Sequence, residues 1–358
     1  MAASAYASAL GRLKPEFTSF LGKDAYAQLL SAKDPSEVAK QLESTPYGAD
    51  VQQARAAYQG ISLLEIALNR TFVRRNRHAY EATPFAGRAV VGAYLTRWDR
   101  ENIELILAAK AQGRTVVETD EHLVSSREIP AGLYAGVMTL DDFRILLSQP
   151  TLESTVQALV KHGYGGTILP LLETFERTHD IFPVVHALDR EYYRGVLEAA
   201  KFFQGDEWVV RQFVASEIDV RNLLFLLKGK AAELPVDEVV SRWFEGGTVG
   251  AGQVPDLYGA RAVPELAERL ADRFPAITEG TEEYRATESL TGYEVALTRE
   301  RSVAELKRMR TYPLSLAVIF TYLMLAELER SDLRRIAFGK AYGVPAERLE
   351  PLLICPRL

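Results

Sequence analysis

Cysteine is nearly absent: Cys355 is the single one among 358 residues. An intrachain disulfide and a cysteine-based metal cluster are therefore excluded, and a reducing, cytoplasmic setting fits. The five histidines (His78, His122, His162, His179, His186) include no pair one helical turn apart around a glutamate, so the metalloprotease pattern is missing. Only His179 and His186 come close in sequence, near Asp180 and Asp189, and paired surface histidines are the simpler reading. No G-x-S-x-G elbow is present, and "LGKD", "KGKA" and "FGKA" lack the upstream glycine and downstream hydroxyl of a phosphate loop. Serine hydrolysis and ATP binding are not expected. Carboxylates such as Glu118, Asp120 and Glu121, or Glu282 and Glu283, read as charged helical surface rather than as an acid and base pair. No cofactor is implied.

Long apolar runs are scarce as well. The longest, "PLSLAVIFTYLMLAEL" from Pro313 to Leu328, falls short of the ~20 residues needed to cross a bilayer and reads as a buried helix. The start, "MAASAYASALGRLKPEF", lacks a basic region followed by a sustained apolar one, so no secretory signal is expected. Neither sign of charge dominates: 48 acidic and 42 basic residues are interspersed for a net −6, which argues against a nucleic-acid partner.

What is present is helical periodicity. Apolar residues recur at three- and four-residue spacing, alternating runs with Asn-Gly or Asp-Gly turns are missing, and the fold class is all-α. The length exceeds what one core usually holds, so two or three subdomains are expected. Proline and glycine clusters punctuate the chain, and the longest glycine-rich stretch, 246–252, reads as a flexible loop.

Three stretches share one pattern. Aligned on Asn102, Asn222 and Asp332, they lie 120 and 110 residues apart. An acid stands three residues before each anchor (Asp99, Asp219, Glu329), apolar residues follow at one and four (Ile103 and Ile106, Leu223 and Leu226, Leu333 and Ile336), and a lysine stands eight after (Lys110, Lys230, Lys340). Pro235 and Pro345 then mark positions past a helix end. A second parallel joins 29–51 to 146–168, and a third joins "LEIALNR" (64–70), "LETFER" (172–177) and "YEVALTR" (293–299). The common order indicates a threefold internal repeat. Helix chemistry accounts for the anchors as acceptors at a helix start and for the lysines near the negative end of a following helix; the acids read as solvated. Arg70, Arg74 and Arg77 of "RTFVRRNRH" share a helical face, which suits either a solvated surface or an acidic partner.

These three units, the "STPYGADV" stretch and the closing run "LRRIAFGKAYGVPAERLEPLLICP" resemble the C subunit of the archaeal and bacterial V/A-type rotary ATPases, whose eukaryotic counterpart is the d subunit of the V-ATPase. The resemblance runs from about Tyr6 to Pro356 and is sharpest over 329–356. It implies three similar helical subdomains around a pseudo-threefold axis forming a funnel or cup: 1–88 with 313–358, then 89–207, then 208–312. It also implies a non-catalytic central-stalk component, peripheral on the cytoplasmic face of the membrane, that couples the rotating shaft, made of the D and F subunits, to the proteolipid ring. Lys110, Lys230, Lys340, Arg70, Arg74 and Arg77 are then the candidate partner contacts. Glu233, standing where the other units have Gly113 and Gly343, departs from the pattern and puts that turn's shape in question. The mouth is expected to be electrostatically mixed rather than one apolar patch. Two other readings fit an all-helical chain: a peptide-binding repeat scaffold, whose repeats would run roughly 30 to 50 residues, and an enzyme with an unrecognised site.

Overall fold

The computed structural model describes residues 2–113, 138–178, 180–201 and 207–358, and among them every regular element is a helix. Three hub segments carry the anchors. The second hub (Glu207–Ala231) and third hub (Ala317–Ala341) are continuous, whereas the first is broken at Thr96 into Arg88–Leu95 and Arg97–Ala111. The apolar residues one and four positions past each anchor are buried. On the third hub the run Leu316–Met324 is buried without interruption, which is why that segment is so apolar. No helix among the described residues is long and apolar enough to cross a membrane.

All three hubs end in the same way. Gly113 (φ 68°), Glu233 (φ 53°) and Gly343 (φ 68°) take the left-handed conformation that closes a helix, and each amide donates to the carbonyl of its own hub lysine. Glu233 therefore makes the turn its glycine counterparts make, at the steric cost of a side chain there. After the second and third hubs, Pro235 and Pro345 open the short helices Val236–Ser241 and Ala346–Leu349. Gly229 and Gly339 lie where those helices press on the hubs: a Cβ would meet the side chains of Val239 and Leu349, respectively.

Each hub packs on a long buttress helix: the first on Phe182–Lys201, the second on Thr291–Thr311, the third on Gly60–Ala82. Two of these buttresses also touch the next hub in chain order, and Gly60–Ala82 touches Arg88–Leu95. This corrects one of the sequence parallels. "LETFER" lies on a different helix, Gly165–Thr178; the stretch corresponding to "LNR" (68–70) and "LTR" (297–299) is "LDR" (188–190), with Leu68, Leu188 and Leu297 all buried. A six-residue match in a leucine-rich chain did not distinguish adjacent amphipathic helices.

Among the described residues most buried apolar side chains fall into four clusters. One central cluster takes the N-terminal halves of all three hubs, through residues such as Tyr94, Phe213 and Phe320. The C-terminal halves separate: Ile103 and Ile106 enter one peripheral cluster, Leu223 and Leu226 a second, Leu333 and Ile336 a third. The third combines residues 26–68 with 333–353, so the chain's two ends build one core together.

Candidate functional site: a charged axis between equivalent helices

Five residues before the anchors stand Arg97, Glu217 and Glu327. These three equivalent positions meet. Arg97 donates from Nη1 to Glu217 Oε2 at 3.1 Å and from Nη2 to Glu327 Oε1 at 3.0 Å. It also donates to the Tyr94 hydroxyl at 2.6 Å, and Arg301 on the second buttress adds a bond to Glu217 Oε2 at 3.1 Å. Beside this cluster, one ring from each hub, Tyr94, Phe213 and Phe320, lies in mutual contact at centroid distances of 5.0 to 5.7 Å. Burial pushes carboxyl groups up, yet Arg97 and Arg301 outweigh it at Glu217 and hold that group below the usual carboxylate range. At Glu327 burial prevails: Arg97 offsets it only in part, and the neighbouring Glu217 charge pushes the same way, so this group lies above the usual range.

The anchors lie inside their helices rather than at helix starts, and the acids before them are buried rather than solvated, with Asp99, Asn102, Asn222 and Asp332 all at 0% exposure. In the second and third units they hold backbone groups of neighbouring loops. The Asn222 amide donates to Phe244 O and accepts from Phe244 N–H, 22 residues on; Asp332 accepts from Ile354 N–H, again 22 on, and from Cys355 N–H. Asp219 accepts from Thr248 N–H at 2.7 Å and Val249 N–H at 3.1 Å. The glycine-rich stretch 246–252 is therefore held against the second hub rather than loose, and a Cβ at Gly247 would stand 2.5 Å from Asp219 Oδ1. Its glycines serve close approach. Glu329, the third acid, accepts from Leu21 N–H, Tyr47 OH and Arg75.

The lysines do related work. Lys110 donates to Leu147 O and Gln149 O, Lys230 to Tyr258 O, and Lys340 to Leu30 O, in each case just at or past the last residues of a neighbouring helix. Twelve residues after Leu30, Leu147 and Tyr258 come Leu42, Leu159 and Leu270, all buried. The half-buried ammonium groups thus compensate the carbonyl ends of other helices, for Lys340 one that precedes its hub by about 300 residues in the chain. Of the arginines, Arg70 is half-buried; Arg74 pairs with Asp50 at 2.7 Å and Arg77 with Glu81 at 2.6 Å, both from exposed positions.

His179, His122, Glu118, Asp120 and Glu121 lie outside the described residues. His186 Nε2 sits 3.0 Å from Arg242 O, and Asp189 is engaged by Arg100 and Arg221. Among the described residues no group of three His, Cys, Asp or Glu side chains is placed to hold a metal. Sequence reasoning missed Arg97, Glu217, Glu327 and Arg301. The signal was available in the shared spacing, but residue identity changes from Arg to Glu between units, and complementary rather than alike residues at equivalent positions escape a search for similarity.

A model of the family described as ATP synthase (C/AC39) subunit matches residues 10–352. The chain is 34% identical over 351 residues to the C subunit of the A-type ATP synthase of Thermoplasma acidophilum, covering 98% of each. The protein of the same name from Thermoplasma volcanium is 33% identical, covering 98% of each, and that from Haloferax volcanii 24%, covering 96% of each. With nearly the full length matched and one helical repeat recurring in one register, the chain belongs to the ATP synthase (C/AC39) subunit family.

Proposed function

We propose that this protein is a non-catalytic collar in a rotary ATPase, joining the rotating shaft of D and F subunits to the membrane proteolipid ring from the cytoplasmic face. The meeting of Arg97, Glu217 and Glu327 carries the reading: three equivalent side chains reach one another only when the units surround a common axis. The modules are 1–88 with 313–358, 89–207 and 208–312. Because the hubs share a core through their N-terminal halves and part through their C-terminal halves, the shape is a funnel, narrow where the hubs begin and open where their lysines lie. A coupling element needs stiffness about its axis rather than a reactive group, and buried ion pairs with clasped loops supply it.

Exposed apolar residues flank the starts of the hubs: Phe85, Trp208, Tyr312 and Leu314 are 89%, 37%, 47% and 46% exposed, and Trp208 stacks edge-on with Tyr312 at 4.8 Å. We assign this end to the proteolipid ring and the open end to the shaft. Affinity purification of the tagged chain from its native membranes in mild detergent, followed by mass spectrometry, tests the reading. Shaft and proteolipid subunits should be recovered together; their absence overturns it. W208E/Y312E should lose the ring while keeping the shaft, and retention of both would remove the assignment of ends.

A further inference from the structure

The contact between the buttress Phe182–Lys201 and the second hub differs from its counterpart between the buttress Thr291–Thr311 and the third hub. There, Arg335 bridges to Glu294 across the modules, and its neighbour Arg334 bonds Glu65. The equivalent strip of the second hub, Arg221, Leu224, Phe225 and Lys228, instead borders an open crevice of about 240 Å3.

The opposite wall is aromatic. Phe182 stacks on His186 with centroids 6.1 Å apart, and His186 lies 4.9 Å from Phe244. Cations cover both ends of this row: Arg242 sits 4.2 Å over Phe182 and Arg221 5.0 Å over Phe244. The balance of charge is positive. Asp189, the one acid among the described lining residues, is shared by Arg100 and Arg221, Arg242 is matched by Glu238, and exposed Lys228 has no acidic partner among the described residues. A flat apolar space with surplus cations at its rim suits an anion borne on an apolar body. Its volume is below that of drug-sized pockets, which run from about 300 Å3 upwards.

We propose that this crevice binds a small monoanion, a carboxylate carried on one aromatic or branched apolar group. The apolar body lies between Phe182 and Leu224, and the carboxylate faces Lys228 and Arg221. This site stands apart from the coupling role and does not depend on it.

The test is titration of the full chain with 3-phenylpropionate, followed by calorimetry and by saturation transfer to the ligand. Saturable binding in the roughly millimolar range is expected, with 3-phenylpropionamide and acetate each weaker by about tenfold or more, since each lacks one half of the recognised chemistry. Lys228→Glu, on an exposed helix surface, should weaken binding by about tenfold, and Leu224→Trp, which fills the crevice, should abolish it. Failure of the wild-type chain to saturate overturns the proposal. So does equal binding of the amide, or wild-type affinity in Lys228→Glu.

Discussion

The axial cluster makes an asymmetric prediction about two carboxylates that look alike in sequence. Glu217 accepts from two arginines, each at 3.1 Å, whereas Glu327 accepts from one at 3.0 Å. Replacing Glu217 by Gln keeps an amide oxygen for the two arginines but removes the charge that balances them, leaving Arg97 with Glu327 as its one carboxylate partner there and Arg301 with none, inside a closed core. Breaking a buried pair in this way costs about 3–5 kcal/mol. Unfolding entropy of about 2.1 cal/mol/K per residue over 358 residues gives roughly 0.75 kcal/mol/K, so a loss of ~4 kcal/mol lowers Tm by about 5 °C. Glu327→Gln removes a charge the site disfavours, and its Tm should stay within about 1 °C of wild type near neutral pH. The pH dependence runs in opposite senses. The depressed Glu217 contributes stability above its unfolded pKa, near 4.3, and that contribution is lost as pH falls through the folded value, so the Glu217→Gln deficit is full at neutral pH and shrinks only in acid. The raised Glu327 contributes below its unfolded pKa and loses that contribution as pH rises through the folded value, so Glu327→Gln gains on wild type as pH rises. Calorimetry of both variants from pH 4 to pH 8 decides the matter. Equal shifts for the two, or none for Glu217→Gln, would refute the account of the axis.

Glu233→Gly should raise stability by about 0.5–1 kcal/mol and Gly343→Ala lower it by about 1 kcal/mol in urea unfolding, because both positions need the left-handed backbone and a Cβ at 343 meets nothing; like signs for the two would contradict the shared turn. Gly339→Ala, which drives a methyl into Leu349, should cost about 1–3 kcal/mol and more than Gly229→Ala, where Val239 stands 3.0 Å away. The reverse order would show that the short helices pack otherwise. Half-buried Cys355, its thiol pushed up by burial and by nearby Asp332, should react with a disulfide reagent at pH 8 about tenfold or more slower than a free cysteine; labelling at the free rate would count against the clasped C-terminal loop.

The helical class and the three hubs were legible because the apolar spacing around Asn102, Asn222 and Asp332 reports a buried helix face directly. The lysines were legible as helix-end chemistry, but which helix they serve was not, since Leu30 and Lys340 are 310 residues apart and only the packed fold joins them. The acids at 99, 219 and 329 were misread as solvated because a carboxylate's local pattern says nothing of backbone amides arriving from a distant loop. The same blindness made 246–252 look loose: glycine is chosen for flexibility and for close approach alike, and only Asp219 distinguishes the two.

The pairing of residues 26–68 with 333–353 in one core bears on how the protein is made. As the chain leaves the ribosome, residues 26–68 wait with an uncovered apolar face until the hub Ala317–Ala341 emerges. A permuted gene starting at 89 would bring 333–353 and 26–68 out of the ribosome one after the other, and should refold faster and aggregate less than the natural order.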